Sequence, residues 1–231
     1  MRIVALIPAR GGSKGIPRKN LALVDGVPLV AHKINQALAS RCTEVWVSSE
    51  DSEIQSVSKS FGAKIIHRPS ELAYDESGTD SVINHAALEI KLIEGDILVL
   101  LQPTSPLIRI ESIDNCIKLL LESDNYNCVF TIREAPVFNW IAKKGNIWTP
   151  DGHDRFNRKR RQELPISGWE TGGCYALRIN KSDEQISYHQ SPTGVVKITH
   201  TEALDVDQLS ELEEASKILG FFRNINLMDK R

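Results

Sequence analysis

The chain has 231 residues, of which 41% are hydrophobic and 25% are charged, and its formal net charge is −2. This length and composition are typical of one folded domain and exclude a disordered, fibrous or membrane-spanning chain. Because the charges nearly cancel, no basic surface predicts a nucleic-acid partner.

Short apolar runs alternate with amphipathic stretches along most of the chain. Strand patterns occur at residues 3–7, 45–47, 63–66, 97–101, 128–132, 174–177 and 195–198. Helical spacing of apolar residues occurs at 28–39, 51–61, 81–93, 110–121 and 207–219. This alternation predicts an α/β fold, a three-layer sandwich in which helices cover both faces of a mostly parallel sheet. Residues 135–168 show neither period and are too long for a plain connection, so we expect an inserted arm or lid within a single domain, 1–231.

Four cysteines are scattered at positions 42, 116, 128 and 174 without a CxxC pair. That spacing argues against a zinc site and against a disulfide framework. The first apolar run is broken by Pro8 and Arg10, so it is too short for a signal peptide or a membrane span. We therefore expect a cytoplasmic protein with reduced thiols and no membrane partner.

A glycine-rich, cationic loop follows the first predicted strand. Residues 9–20 read ARGGSKGIPRKN, in which Arg10, Lys14, Arg18 and Lys19 surround three glycines. Glycines let such a turn direct N–H groups inward, which favours a polyphosphate cradle. The spacing is neither GxGxxG nor that of a Walker P-loop, which argues against a P-loop NTPase. A plain strand-to-helix turn with solvated lysines is the alternative.

The string at residues 7–20, IPARGGSKGIPRKN, resembles the signature loop of the acylneuraminate cytidylyltransferases, the CMP-sialic acid synthetases. The resemblance implies a Rossmann-like fold of the nucleotide-diphospho-sugar-transferase type. It also implies an enzyme that joins CTP to a sialic-acid-type nine-carbon keto acid and releases pyrophosphate. The loop residues that it places at CTP are Arg10, Gly11, Ser13, Lys19 and Asn20. Lys19 and Arg10 would stabilise charge on the phosphate under attack, since nucleotidyl transfer needs positive charge more than covalent help.

A second string, RPSELAYD followed by GTD at 78–80, resembles the family segment that reads the cytosine edge. The resemblance assigns that role to Arg68 and Thr79. An arginine acting with backbone carbonyls can distinguish cytosine from uracil by its donors and acceptors. Alternatively, Thr79 caps the helix that follows it.

A third string, QPTSPL at 102–107, follows the most apolar predicted strand, at the edge where ligands bind in such sheets. The resemblance implies that Gln102, Thr104 and Ser105 contact the sugar acid, and Gln102 favours a neuraminate-like sugar. A rigid turn formed by the two prolines is the alternative.

The arm ends with RQELP at 161–165, which resembles the family segment whose arginine pairs with the sugar carboxylate. A planar guanidinium matches a carboxylate, so Arg161 is the candidate, with Arg158 and Arg160 as rivals. Thr171 takes a sugar-contacting place where bacterial neuraminate enzymes often carry Asn. That difference leaves legionaminic acid and KDN open as substrates. The resemblance also implies that the arm forms a homodimer.

Two aspartates, Asp205 and Asp207, precede the last predicted helix. Residues two apart in an extended segment point to one side, and paired carboxylates suit Mg²⁺ or Mn²⁺. The resemblance implies that this pair holds the catalytic metal, while either Asp207 or a metal-bound hydroxide could be the base. Alternatively, Asp207 caps the helix, with Glu211 in its first turn. A non-catalytic nucleotide-binding module would need no acidic pair.

Overall fold

A computed structural model describes residues 1–74, 77–135, 138–154, 156–157, 159–164, 166–180 and 185–228. The strands are β1 (Ile3–Pro8), β2 (Leu23–Val24), β3 (Val27–Pro28), β4 (Glu44–Ser49), β5 (Lys64–His67), β6 (Ile97–Leu100), β7 (Cys128–Glu134), β8 (Asn139–Lys143), β9 (Ile147–Asp151), β10 (Gly168–Arg178) and β11 (Thr193–Lys197). The helices are α1 (Leu29–Ala39), α2 (Ser52–Ser60), α3 (Thr79–Ile90), α4 (Ile110–Glu122) and α5 (Leu209–Met228). Short 3-10 turns lie at Lys19–Leu21, Ser70–Leu72, Lys144–Asn146 and Arg161–Glu163.

Seven strands form the central sheet in the order β11-β7-β10-β6-β1-β4-β5. Strand β1 runs parallel to β4 and β6, β5 runs parallel to β4, and β11 runs parallel to β7. Strand β10 is antiparallel to both of its neighbours, β6 and β7. The predicted mostly parallel sheet is confirmed, and the carboxyl ends of all its strands except β10 lie at one edge.

Helices cover both faces of this sheet. In β1, Ile3, Ala5 and Ile7 pack in a core with residues of α1, α2 and α4. The alternate residues Val4 and Leu6 pack in a second core with α3. Burial of both strand faces explains why β1 and β6 read as unbroken apolar runs, and it confirms the predicted three layers.

Several element boundaries differ from the sequence prediction. Strand β10 has eleven residues instead of the predicted four, and α5 continues to Met228. Within residues 135–168, which read as irregular, β8 and β9 pair as an antiparallel hairpin. All five residues of β8 are exposed, so no buried face gives the segment a hydrophobic period.

No helix in the described part of the chain is both long and apolar enough to cross a bilayer. All four cysteines lie among the described residues and are free thiols. Burial raises the pKa of the Cys42 thiol to about 12 and that of Cys128 to about 11. These thiols therefore stay protonated at neutral pH and are poor nucleophiles.

The buried carboxylate of Glu202 joins the start of α4 to the segment that precedes α5. Its side chain is 3% exposed and accepts hydrogen bonds from Arg109 Nη2 at 2.8 Å, from Ser112 Oγ at 2.5 Å and from Thr199 Oγ1 at 2.9 Å. Burial by itself raises the pKa of Glu202. The hydrogen bonds from Arg109, Ser112 and Thr199 outweigh burial and bring that pKa to about 2.

We expect Glu202→Gln to lower the free energy of unfolding by up to about 3 kcal/mol at pH 7. The folded pKa lies below the ordinary glutamate value of 4.5, so this contribution is complete above pH 4.5 and is lost as pH falls toward 2. Urea unfolding of both proteins should therefore give a stability difference that shrinks by about half near pH 3. Glu111→Gln, at an exposed position of α4, is the matched control. A difference that stays constant with pH would contradict this account of Glu202.

Candidate active site

A cavity of about 310 Å³ opens where β1, β5 and β6 end. Its lining includes eight predicted site residues: Arg10, Ser13, Lys19, Asn20, Arg68, Thr79, Gln102 and Thr104. Among the described lining residues, Arg10, Lys19 and Arg68 are cationic and none is acidic. Asp75 and Glu76, which follow Tyr74 at its rim, lie outside the described residues. The cavity is thus suited electrostatically to an anionic ligand.

Hydrogen bonds fix the glycine-rich loop from within and from below. The Asn20 side chain is buried, and its Nδ2 donates to the Arg10 carbonyl at 2.8 Å. The Gly11 N–H donates to Glu50 Oε1 at 2.7 Å. Gly11 was predicted to contact CTP, but its N–H is used by this carboxylate. These hydrogen bonds therefore hold the loop in one backbone conformation.

Arg18, one of the four cations in the loop, is directed away from the cavity. Its Nη2 lies 2.9 Å from Asp51 Oδ1 and 2.9 Å from Glu53 Oε2. Asp51 caps α2 by accepting from the amides of Glu53 and Ile54. Arg18 thereby ties the loop to the start of α2 and is absent from the cavity lining.

Lys19 connects the glycine-rich loop to the acidic segment before α5. Its Nζ donates to Asp207 Oδ1 at 2.8 Å, and the lysine side chain is only 14% exposed. Gly15 explains how the two segments approach, since a Cβ there would lie 2.2 Å from the Asp207 carbonyl oxygen. Only glycine allows the two backbones to lie this close.

The two aspartates have different surroundings. Asp205 Oδ1 is buried and has no hydrogen-bond partner among the described residues, whereas the Asp207 side chain is 67% exposed. The amides of Asp207 and Gln208 donate to Glu211 Oε2, while the Asp207 carboxylate pairs with Lys19. The contacts of the Asp207 carboxylate therefore differ from those of a helix cap.

The buried, unpartnered carboxylate oxygen of Asp205 fits a hard divalent cation, and Asp207 follows two residues later in the chain. No group of three or more His, Cys, Asp or Glu side chains in the described ranges could hold a metal. A cation bound at Asp205 and Asp207 would need further oxygen ligands, which a triphosphate could supply.

Arg68 forms the floor of the cavity near α3. The side chain is 6% exposed, and its Nη2 and Nε donate to Ser48, to the carbonyl at 2.7 Å and to Oγ at 3.2 Å. Burial lowers the pKa of Arg68 to about 10, which leaves the guanidinium charged at neutral pH. Thr79 is the first residue of α3, and the N-cap is Gly78, so the alternative that Thr79 caps this helix is wrong.

Sequence reasoning missed Glu50, which follows β4. Its Oε1 accepts from Gly11, and its Oε2 is buried without a hydrogen-bond partner in the described structure. Its charge also opposes the lowering of the Arg68 pKa. An acidic residue just after a predicted strand lies at the binding edge of such a sheet, and this position could have identified it.

Gln102 and Thr104 line the cavity, whereas Ser105 lies beneath them and is buried. The Thr104 carbonyl accepts from the Val206 amide at 2.7 Å, which joins this loop to the acidic segment. Strand β10 crosses close by, because a Cβ at Gly172 would lie 2.7 Å from Gln102 Oε1. The absence of a side chain at Gly172 thus leaves room for Gln102.

The structure does not bring Thr171 to the cavity. Its buried hydroxyl donates to the Thr131 carbonyl at 3.0 Å and lies 2.8 Å from Thr131 Oγ1. Arg161 begins a 3-10 turn, but its side chain, like the whole of Arg158, lies outside the described residues. Arg160 is exposed, and its backbone amide donates to Glu163.

A protein-family model described as cytidylyltransferase matches residues 4–165. The chain belongs to the cytidylyltransferase family. The chain is 38% identical over 222 residues to the CMP-N,N'-diacetyllegionaminic acid synthase of Legionella pneumophila, covering 90% of this chain and 91% of that protein. It is also 38% identical over 200 residues to the N-acylneuraminate cytidylyltransferase of Escherichia coli, covering 86% of this chain. It is 33% identical over 178 residues to the N-acylneuraminate cytidylyltransferase of Oncorhynchus mykiss, covering 75% of this chain. The matches span 42% of the Escherichia coli protein and 40% of the Oncorhynchus mykiss protein.

Solved structures share the fold of this family member. A CMP-2-keto-3-deoxy-manno-octonic acid synthetase complexed with CTP matches with a TM-score of 0.69 at 19% identity, over 95% of this chain and 99% of that one. The 4-diphosphocytidyl-2C-methyl-D-erythritol synthase of Anaerococcus prevotii matches with a TM-score of 0.62 at 11% identity, over 95% and 98%. At such low identities the likeness establishes the fold alone, and it supports the predicted Rossmann-like class.

Proposed function

We propose that the chain transfers the cytidylyl group of CTP to a sialic-acid-type nine-carbon keto acid, giving the CMP-sugar and pyrophosphate. One observation carries the proposal: Lys19 and Asp207 meet at 2.8 Å beside the cavity that Arg68 and Gln102 also line. Cations and the residue proposed to read the base thereby line one volume, and a carboxylate lies next to it. The names of the relatives from Legionella pneumophila and Escherichia coli support the same reaction.

The cationic loop would bind the triphosphate of CTP. Arg10, Ser13 and Lys19 line the cavity on this side, and the buried Asn20 supports the Arg10 backbone. Positive groups held in place before the reaction stabilise the charge that develops during nucleotidyl transfer without reorganising. Gly11 would act through the shape of the loop, because its N–H is used by Glu50.

The part of the cavity near α3 would read the base. Arg68 is held rigidly by Ser48, and Thr79 lies at the first turn of α3 beside it. A fixed guanidinium can donate to the carbonyl oxygen and ring nitrogen of cytosine. The nucleotide would then lie between this pair and the loop.

The sugar acid would lie against Gln102 and Thr104, with Arg161 as the candidate partner of its carboxylate. Its anomeric oxygen attacks the α-phosphorus, a new P–O bond forms, and the bond to pyrophosphate breaks. Asp207 is the candidate acceptor of the hydroxyl proton, and Lys19 and Arg10 offset the negative charge. Asp205 and Asp207 would hold Mg²⁺ or Mn²⁺, which supplies further positive charge at the triphosphate when bound.

Legionaminic acid is a second candidate substrate, and KDN is a third. The relative that this chain matches over 91% of that protein's length is named for N,N'-diacetyllegionaminic acid. The Thr171 hydroxyl is hydrogen-bonded inside the sheet, which gives no support to a contact with an acylamino group of neuraminic acid.

A pyrophosphate-release assay with a nucleotide and sugar panel tests the proposal. We expect release with CTP, and not with UTP or ATP, in the presence of Mg²⁺ and one of neuraminic, legionaminic, pseudaminic or KDN acid. Omission of the sugar acid is the blank. If CTP binds with an affinity that Mg²⁺ does not change and no pyrophosphate is released, the chain is a nucleotide-binding module and the proposal fails.

The hairpin of β8 and β9 is the candidate dimer contact. The pairing of β8 with β9 places the exposed side chains of Trp140 and Trp148 on one face of it, and exposed apolar surface of this kind is typical of protein interfaces. Sedimentation velocity should give twice the 25.8 kDa mass of the chain, whereas a monomer at micromolar concentration would contradict the homodimer. Location in the cytoplasm remains a prediction from the sequence.

A further inference from the structure

On α1, Lys33 is fully buried beneath the loop at residues 102–108. Its side chain is 0% exposed, and its Nζ donates to the Ser105 carbonyl at 2.7 Å. One turn further along α1, Gln36 Nε2 donates to the carbonyls of Pro106 at 2.6 Å and of Ile108 at 2.9 Å. Two side chains of α1 therefore donate hydrogen bonds to three carbonyl groups of this loop.

The same loop connects the cavity to the acidic segment that precedes α5. On one side, Gln102 and Thr104 line the cavity. On the other side, the Thr104 carbonyl accepts from the amide of Val206, which lies between Asp205 and Asp207. A displacement of Ser105 would therefore reach Thr104 and Gln102 directly, and the acidic segment only through the hydrogen bond from the Val206 amide to the Thr104 carbonyl.

Packing alone does not explain an amino group at this position. A methionine would fill a similar volume without the unfavourable transfer of an amine from water into the interior. Burial lowers the pKa of Lys33 to about 7, with Cys174 and Asp205 opposing the change. The amino group donates its hydrogen bond in either protonation state, so the contact with Ser105 does not depend on its charge.

We propose that Lys33 is a positioning residue, whose hydrogen bond to Ser105 fixes the loop at 102–108 so that Gln102 and Thr104 face the sugar acid. This inference rests on the proposed cytidylyl transfer. Lys33 acts through the loop and touches neither substrate. Nothing in the family motifs of the chain points to this residue, since it lies inside the first helix.

Steady-state kinetics of Lys33→Met test the inference, with Lys118→Met on α4 as the control, because Lys118 is a largely exposed helical lysine. We expect the KM for the sugar acid to rise about tenfold, since an oriented loop contact is lost, and the KM for CTP to stay within about twofold. The urea midpoint should stay close to that of the wild type, because methionine fills the site. The control should match the wild type in all three values.

Amide hydrogen exchange gives a readout that needs no turnover. In Lys33→Met the amides of Ser105 and Val206 should exchange about tenfold faster, while amides of the loop at 10–20 should not change. If the wild type releases no pyrophosphate, the proposed function fails while this exchange result still decides the role of Lys33. Equal changes in both KM values, or unchanged exchange, would overturn the inference.

The remaining possible outcome is that the variant is too unstable for kinetics. Should Lys33→Met fail to fold, Gln36→Met removes the neighbouring contacts and should give the same separation of the two KM values. If Gln36→Met changes both constants alike or also fails to fold, α1 supports the fold in general and the positioning role is rejected.

Discussion

Replacement of Lys19 by methionine is expected to lower kcat by roughly two to three orders of magnitude, which is the usual loss when one preorganised transition-state donor is removed. Lys19 lines the cavity, is largely shielded from water and lies 2.8 Å from Asp207, so its charge acts where screening is weak. Methionine keeps an unbranched side chain one atom shorter than that of lysine and removes the charge. Pyrophosphate release at saturating CTP and sugar acid measures the effect.

Arg18→Gln provides the matched control for Lys19, because it removes the neighbouring positive charge of the same loop. Its guanidinium pairs with Asp51 and Glu53 outside the cavity, so kcat should stay within about fivefold of the wild type. An unchanged kcat in Lys19→Met would remove Lys19 from the chemistry. Equal losses in both variants would indicate that only the net charge of the loop matters.

Gly15→Ala is expected to reduce kcat/KM for the sugar acid by at least about a hundredfold, because misplacement of reacting groups by about 1 Å has effects of that size. The added methyl group would lie 2.2 Å from the Asp207 carbonyl oxygen, and a backbone atom cannot turn aside as a side-chain end can. The loop and the acidic segment must then separate. Kinetics together with the urea midpoint of unfolding report this change.

Gly12→Ala is the comparison for Gly15, since a methyl group at Gly12 meets no atom within 4 Å. Its unfolding midpoint should equal that of the wild type, and its loss of activity should be under about tenfold, as no backbone contact is displaced. Similar losses in the two variants would show that any side chain in the loop is harmful. The contact between Gly15 and Asp207 would then not be the cause.

The sheet and the cationic side of the cavity could be predicted from sequence because both depend on local patterns. Strands β1 and β6 are buried on both faces, so their residues are almost all apolar. The loop at 9–20 combines glycines with cations in one short string, and the rule for strand ends places 102–104 at the same edge. Each of these signals lies within about ten residues.

Contacts between distant segments could not be predicted in this way. Leu38 shares the helical spacing of the apolar residues at 28–39, yet its side chain is 49% exposed, whereas the Lys33 side chain is fully buried. Thr171 was expected at the sugar, but its hydroxyl bonds to Thr131 on a neighbouring strand. Such outcomes depend on which loop or strand packs against the residue, and a linear pattern carries no information about that partner.

The two ends of the segment at 135–168 suggest how members of such a fold could diversify. The Ala135 amide donates to the Ser167 carbonyl and the Ser167 hydroxyl to the Ala135 carbonyl, while Gly168 pairs with Glu134 at the end of the sheet. The chain thus leaves and re-enters the sheet at one closed point. The residues between 135 and 167 could therefore be exchanged, in evolution or by engineering, without shifting the register of the seven strands.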